Sequence, residues 1–237
     1  MRVLALDTTT RAGSVALVSD GVADERRGDP SRSHAERLPA DLLELLDAHG
    51  LRVRDVDVFA VACGPGSFTG LRVGIASMQG LAFTMHRPIV PVSALDALGH
   101  LASLDQPARA LVAACMDAHR GEIFSALYRV ADAPPFATAR LEELEGPAVG
   151  DPAATADRWR ASGFPAPDVF AGDGAERYGP VLAGSMPRVV GGAVLAGVIG
   201  RIAAGRAREG LAVDPGAVRP LYVRRPDAEI DRERRRT

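Results

Sequence analysis

The sequence predicts an α/β fold made of two related lobes, and three observations support this prediction. Short apolar runs rich in β-branched residues alternate with segments that carry an apolar helical stripe, which is typical of sheets flanked by helices. A unit of strand, polar turn and returning strand at residues 2–19 recurs at residues 110–129. A buried, parallel-type strand at residues 58–63 runs into a glycine turn and a helix. Antiparallel hairpins beside a parallel strand predict mixed sheets.

Composition limits the classes of function. The 237 residues are 47% hydrophobic, enough for a full core, and 30 acids against 28 basic residues give a net charge of -2. A protein that binds nucleic acid without a partner protein usually has an excess of positive charge. We therefore expect any RNA contact of this chain to need a partner protein. The two cysteines show no paired spacing, and no signal peptide or membrane span is evident. A cytoplasmic protein is expected.

The first lobe, residues 1–106, is predicted to open with a three-stranded meander whose second hairpin turns at Asp20-Gly21. The spacing of Ser33 and Glu36 predicts a capping box, and a helix with an apolar stripe follows as far as His49. Pro39 should bend or weaken this helix. The remaining predicted elements are strands at 2–7, 13–19, 22–26, 58–63 and 88–92 and helices at 71–83 and 94–104.

The second lobe, residues 107–223, is predicted to follow a hinge at residues 105–107. Its predicted elements are strands at 110–116, 123–129 and 169–171 and helices at 152–162 and 193–208, with a Gly-Asp-Gly turn at 172–174. Residues 134–150 are predicted to be a proline-rich connection with at most one short strand. Residues 224–237 hold six arginines and four acids among 14 residues, a composition that predicts a disordered tail.

The glycine turn, GPGSFTG at residues 64–70, leaves two interpretations open. A strand, a glycine turn and a helix in this order are typical of a phosphate-binding site, because the first amides of a helix are unpaired. The Walker lysine is missing, however, since all 28 basic residues are arginine. The other interpretation is a tight turn whose glycines let the strand and the helix pack closely.

The order of these features resembles the actin, sugar-kinase and Hsp70-like class of two-lobed folds, abbreviated ASKHA and related to ribonuclease H. An aspartate ends the first strand, a threonine-rich turn follows, the second lobe opens in the same way, and a late Gly-Asp-Gly turn completes the pattern. A closer resemblance, to the TsaB (YeaZ) family, covers nearly the whole chain. Its blocks are ALDTTT at 5–10, SHAE at 33–36, GPGSFTGLRVG at 64–74, DAHRGE at 117–122 and LYVR at 221–224.

The resemblance to the TsaB family implies a non-catalytic subunit of the complex that makes threonylcarbamoyladenosine, t6A, beside the anticodon of tRNAs reading codons that begin with A. It implies a heterodimer with TsaD, which transfers the threonylcarbamoyl group, and a third component, the ATPase TsaE. Contact with tRNA would come through the complex, and the subunit could form a homodimer when alone. It would need no cofactor of its own, although ATP or ADP could lie at the complex interface. His119 stands where the family has an arginine.

In the family, two helices of each subunit form the contact with TsaD, which would place the interface here on the helices that begin near Ser33 and Gly70. The second helix carries Gly70, Gly74 and Ser77 on one side, and a stripe of small residues permits a close helix approach. We therefore expect this stripe to face the partner, although it could instead pack inward on the lobe's own sheet. The expected interface is His34, Leu38, Leu42, Leu45, Gly70, Arg72, Val73, Gly74, Ser77, Met78 and Leu81.

Two enzymatic alternatives remain open. A weak nucleotide-binding ATPase would use a vestigial nucleotide site made of Asp7, Thr8, Thr9, Asp117, Gly172 and Gly174. A residual metallopeptidase is the least favoured, because the catalytic relative TsaD holds its metal with His-x-x-x-His, whereas His34 is followed four residues later by Leu38. Ser67 lacks the nucleophile-elbow spacing, and Cys63 is expected to be buried and structural. We expect no catalytic and no metal-binding residues.

Overall fold

The computed structural model describes residues 1–185, 187–191 and 194–224. The strands are β1 Arg2–Asp7, β2 Ser14–Ser19, β3 Val22–Arg27, β4 Val58–Gly64, β5 Ile89–Ser93, β6 Leu111–Asp117, β7 Ile123–Val130, β8 Leu141–Gly150, β9 Val169–Ala171 and β10 Val189–Val190. The helices are α1 His34–Ala48, α2 Phe68–Thr84, α3 Ala94–Ala102, α4 Pro152–Ala161, α5 Asp173–Ala183 and α6 Ala196–Arg208. The predicted tail lies outside the described residues apart from Arg224.

The strands form two five-stranded mixed sheets that share one topology. The first sheet has the order β3-β2-β1-β4-β5, and the second, read in the same sense, has β8-β7-β6-β9-β10. In each sheet the first strand pairs antiparallel with the second and parallel with the fourth. Helices follow at equivalent points, after the third, fourth and fifth strands of each half. The predicted internal repeat and the two-lobed α/β fold with mixed sheets flanked by helices are therefore confirmed.

Helices and sheets alternate as five layers. Helices α1 and α2 bury leucines and Met78 on the outer face of the first sheet, and α4 and α5 cover the outer face of the second with Trp159, Ala175 and Leu182. Between the sheets, α3 and α6 contribute to a single shared core. Helix α3 packs mainly on the second sheet, whereas α6 packs on the first. The chain returns to the first sheet again near Val213, which bridges to Ile89. The two lobes thus exchange segments across the predicted boundary near residue 106.

Helix α1 shows how local sequence sets an element. The Ser33 amide donates to the Glu36 carboxylate at 2.8 Å, which confirms the predicted capping box. Leu38, Leu42 and Leu45 lie on the side that faces the sheet. Pro39 lies inside the helix and is exposed, and the helix continues past it to Ala48. Burial of the leucine stripe therefore outweighs the lost backbone hydrogen bond.

One prediction for the second half was wrong, and two elements were missed. The expected connection at 134–150 contains the ten-residue strand β8, paired antiparallel with β7. Helix α5 was not predicted; it forms although Gly179 and Pro180 disfavour a helix, and Ala175 and Leu182 are buried against the second sheet. Strand β10 was missed since it has only two residues. Helix α6 ends at Arg208 as predicted and begins at Ala196, three residues after the predicted start.

Candidate functional site

The first turn, defined as residues 8–13 between β1 and β2, is buried at both of its ends, and Arg11 is its exposed residue. Asp7 is 2% exposed, and its Oδ1 accepts the amide N–H of Thr9 at 2.8 Å and the Thr9 hydroxyl at 2.6 Å. Burial raises the pKa of Asp7, the two hydrogen bonds from Thr9 partly offset that rise, and the charge of Asp173 adds to it. Thr8 is fully buried, and its hydroxyl has no hydrogen-bond partner among the described residues.

The glycine turn lies directly on the first turn. The Ser67 amide donates to the Thr9 carbonyl at 2.8 Å, and a Cβ added at Gly66 would lie 2.6 Å from the Thr9 Cβ. Gly66 also has a φ of +157°, which few other residues adopt. On the other side, a Cβ at Gly64 would lie 2.8 Å from the Leu221 carbonyl oxygen. Of the two interpretations of this turn, the structure supports close packing.

The second turn, residues 118–122 between β6 and β7, brings a different set of groups together. Asp117 accepts the His119 amide N–H at 2.9 Å and pairs with Arg177 at 2.8 Å. Its own amide donates to the carboxylate of Asp173 at 2.9 Å. Burial raises the pKa of Asp173, and the neighbouring Asp117 and Glu176 charges add to that rise.

Asp173 links the predicted residues of the two turns, because it accepts the Asp117 amide and its charge raises the pKa of Asp7, and their use as a nucleotide site stays a prediction. Gly172 and Gly174 pack against the backbone at the end of β6, where added Cβ atoms would lie 2.3 Å from the Cys115 oxygen and 2.7 Å from the Met116 carbonyl carbon. Asp173 was missed in the sequence, although it stands inside the Gly-Asp-Gly turn that the sequence marked. Three aspartates thus occupy the ends of β1 and β6 and the start of α5.

A cleft of about 360 Å³ opens beside Asp7, with Glu25, Arg27 and Gly13 among its lining residues. Val194, just before the start of α6, also lines this cleft, and the first amides of α6 are bound by side chains of the first sheet. The Ser14 hydroxyl accepts the amides of Leu195 and Ala196 at 3.2 and 3.0 Å, and Glu25 accepts the Gly197 amide at 3.0 Å. The chain's own carboxylate therefore occupies the place at a helix N-terminus that an anion would take.

His34 is held as a structural residue rather than as a metal ligand. Its Nε2 lies 3.0 Å from the Thr10 carbonyl, so Nε2 must donate, and its Nδ1 accepts from buried Arg37 at 2.9 Å. Burial lowers the pKa of His34, which favours this neutral form. Among the described residues, no three His, Cys, Asp or Glu side chains are grouped closely enough to hold a metal ion.

The cysteines are poor nucleophiles. Burial raises the pKa of Cys63 to about 11, and it also raises the pKa of buried Cys115. Both are therefore thiols at neutral pH, whereas the thiolate is the reactive form.

In the described part of the chain, no helix has the length and apolar character needed to cross a bilayer.

The expected partner interface must be corrected for the direction in which its residues face. Gly70 and Gly74 face inward, because a Cβ at either position would lie 2.2 Å from Thr8 atoms. Six of the eleven residues are buried inside the chain, namely Leu38, Leu42, Leu45, Gly70, Gly74 and Met78. His34, Val73, Ser77 and Leu81 are half-buried, and Arg72 is exposed. The inward alternative for the Gly70–Gly74 stripe is therefore the one observed, although the partnership itself stays a prediction.

The outer sides of α1 and α2 form the surface that these helices leave open, here called the α1–α2 outer face. Leu43 on α1 is 51% exposed and Phe83 on α2 is 72% exposed. Ala76 is exposed, and a Cβ added at Gly80 would meet no atom within 4 Å. On α2, the side with room for a partner is therefore the one that carries Ala76, Gly80 and Phe83, and not the one that carries Gly70 and Gly74.

An aromatic and arginine cluster adjoins this face at the start of α2. The Arg72 guanidinium lies 3.9 Å from the ring centroid of Phe68, and its Nε donates to the Tyr222 hydroxyl at 2.9 Å. The two rings lie 5.2 Å apart and are 39% and 41% exposed. Exposed Phe, Tyr and Arg side chains of this kind are enriched at protein interfaces.

The chain is similar in sequence to a family profile and to two named bacterial proteins. A family profile described as "TsaD: tRNA N6-adenosine threonylcarbamoyltransferase" matches residues 28–173. The chain is 38% identical over 129 residues to the Escherichia coli "tRNA threonylcarbamoyladenosine biosynthesis protein TsaB" and 40% identical over 124 residues to that of Haemophilus influenzae. These alignments cover 54% and 52% of this chain, and they span only about half of the relatives, 55% and 52% of their lengths.

Solved structures extend the match to the whole fold. The structure titled "YeaZ from Pseudomonas aeruginosa" has a TM-score of 0.75 and 32% identity, over 93% of this chain and 99% of that one. A second Pseudomonas aeruginosa structure, of "an uncharacterized protein with similarity to peptidase YEAZ", has a TM-score of 0.77 and 33% identity, over 94% and 99% of the two chains. The chain therefore belongs to the TsaB (YeaZ) family.

Proposed function

We propose that this chain is a non-catalytic subunit of the machinery that makes t6A in tRNA, and that it acts by binding and activating a TsaD-type transferase. Its relatives are named as t6A biosynthesis proteins. The observation that carries the proposal is the α1–α2 outer face, because these two helices pack side by side and each exposes a large apolar side chain, Leu43 on α1 and Phe83 on α2. Exposed apolar surface of this kind is typical of a protein contact.

The geometry of the first lobe supports a role without nucleotide chemistry of its own. At two places in the described part of the chain where a phosphate could meet backbone amides, the chain's own groups take that position. Glu25 binds the start of α6, and the glycine turn covers Thr8 and Thr9. ATP or ADP, if used, would then bind in the complex with TsaD or to TsaE rather than to this chain alone.

The test is a pair of charge substitutions on opposite sides of the molecule. Leu43→Glu places a carboxylate on the α1–α2 outer face, and Val181→Glu places one on α5, where Val181 is 49% exposed. Both variants should melt like the wild type. Leu43→Glu should weaken binding to TsaD from the same genome at least tenfold, about 1.4 kcal/mol, whereas Val181→Glu should bind normally.

The functional readout is t6A formed on tRNA from threonylcarbamoyl adenylate by TsaD with TsaE and this chain. Leu43→Glu should lower the yield in proportion to lost binding, and excess protein should restore it. Equal effects of the two variants would refute the assigned surface. Steady ATP hydrolysis by the isolated chain, abolished in Asp7→Ala, would refute the non-catalytic role.

A further inference from the structure

A second cavity, here called the α6 groove, lies away from both the acidic turns and the α1–α2 outer face. It has a volume of about 480 Å³ and is lined by parts of both halves of the chain. Val18 and Gly21 come from the β2–β3 hairpin, Pro135 to Ala137 come from the segment before β8, and Arg201 to Glu209 come from α6 and the residue after it. Its volume falls within the range of small-molecule sites, about 300–1,000 Å³.

Arg201 is held in place at the wall of this groove. Its Nε donates to the Gly21 carbonyl at 3.2 Å, and its guanidinium carbon lies 5.3 Å from the ring centroid of Phe136. The Phe136 ring is stacked in turn against buried His100. Neither terminal nitrogen of Arg201 has an acceptor among the described residues. A guanidinium that is fixed at Nε and open at its two terminal nitrogens suits bidentate binding of a carboxylate or phosphate.

The surrounding groups favour an anion with an apolar body. Arg208 is a second, exposed cation in the lining, with no ion-pair partner in the described part of the chain. Glu209 is the acid in the lining, so the net charge there is positive. The other lining groups are mainly apolar or backbone. Phe136 also has a φ of +63°, a costly conformation outside glycine that is often kept at ligand sites.

We propose that the α6 groove binds a small organic anion, with one carboxylate or phosphate group on the Arg201 fork and a compact apolar body between the hairpin and residues 135–137. Because the lining joins the two halves of the chain, a bound molecule would contact both. It would therefore raise the melting temperature, since a ligand that binds only the folded state stabilises it by mass action.

The probe is phenyl phosphate, with phenol and inorganic phosphate as its two separated parts. Titration followed by amide NMR shifts should give saturable changes at Gly21, Ala137 and Gly205, with a Kd of about 1 mM. Phenol and inorganic phosphate should each bind at least tenfold more weakly. Equal affinity for inorganic phosphate would show that Arg201 is a bare anion contact and would overturn the proposal of an organic ligand.

Three variants test the assignment of residues. Arg201→Gln should raise the Kd for phenyl phosphate at least tenfold, and Arg188→Gln, at an exposed arginine before β10, should leave it unchanged. Ala137→Trp should fill the groove and block binding while the charges remain. A variant whose melting curve without ligand matches that of the wild type is folded. Absence of saturable shifts in the wild type, or equal affinity in Arg201→Gln, overturns the proposal.

Discussion

The two strand-end turns are copies of one motif in very different surroundings. In each, an aspartate at the end of a strand accepts the amide N–H two residues later, from Thr9 to Asp7 at 2.8 Å and from His119 to Asp117 at 2.9 Å. The first turn lies beneath the glycine turn and helix α2, with Thr9 only 4% exposed. The second turn is open, and the His119 side chain is 85% exposed.

This difference shows that one motif can serve packing in one lobe and stay accessible in the other. The contact between Gly74 and Thr8 needs a position with no side chain, whereas the second turn at Gly121 has no atom within 4 Å of an added Cβ. Substitutions in the first turn should therefore act on stability. Equivalent substitutions in the second turn should change the stability little, and any effect they have should be on binding.

The largest effect is expected for Gly74→Leu, compared with Gly80→Leu on the same helix. The first substitution drives a side chain into Thr8, where a Cβ alone would lie 2.2 Å from the hydroxyl oxygen. It should lower the free energy of unfolding by roughly 3 kcal/mol, because overpacking a closed contact forces backbone shifts. Gly80→Leu meets open space and should be neutral or stabilising by up to about 1 kcal/mol. Urea denaturation measures both, and equal stability of the two variants would contradict the buried first turn.

Acid stability offers a second test of the comparison. His34 holds the first turn in its neutral form, and its pKa is lowered by burial. The unfolded chain therefore binds more protons below about pH 6.5, and stability falls as pH drops from there toward the folded pKa. Burial also lowers the pKa of His100 to about 4, so His100 alone should remove about 3 kcal/mol as pH falls from 6.5 to 4.

His34→Gln isolates the contribution of the first turn, since an amide can still donate to Thr10 and accept from Arg37. The variant should lose less stability than the wild type between pH 7 and pH 5, measured by urea midpoints. His119→Gln, in the exposed second turn, is the matched histidine-to-glutamine control. The loss that comes from His100 should persist in all three proteins. Identical pH dependence in His34→Gln and the wild type would show that His34 does not stay neutral.

The smallest effect is expected at Thr8, whose buried hydroxyl has no partner among the described residues. The equivalent residue in the second turn is Ala118, which carries no such group and is 3% exposed. Thr8→Val keeps the shape and removes the unpaired oxygen, so it should raise the free energy of unfolding by roughly 1 kcal/mol. A loss of stability would reveal a hydrogen bond to the Thr8 hydroxyl, for example through water.

The sequence by itself determined much of this protein because the signals are local. Alternating apolar runs marked most strands, Ser33 and Glu36 marked the start of α1, and the recurrence of an aspartate after a strand revealed the repeat. The motif blocks were specific enough to indicate the family. These features depend on neighbours in the chain, which is why spacing alone predicts them.

Only the tertiary structure decided which side of each helix packs inward and which side stays exposed. Gly70, Gly74 and Gly80 are chemically identical, yet two close on Thr8 and the third faces open space, because the sheet fixes the rotation of α2. Helix α5 forms despite Pro180 because its apolar side is buried on the second sheet. The groove at Arg201 joins residues about 180 positions apart, and its contact with Gly21 exists only because α6 returns to the first sheet. Such contacts depend on packing between distant segments, which no local pattern encodes.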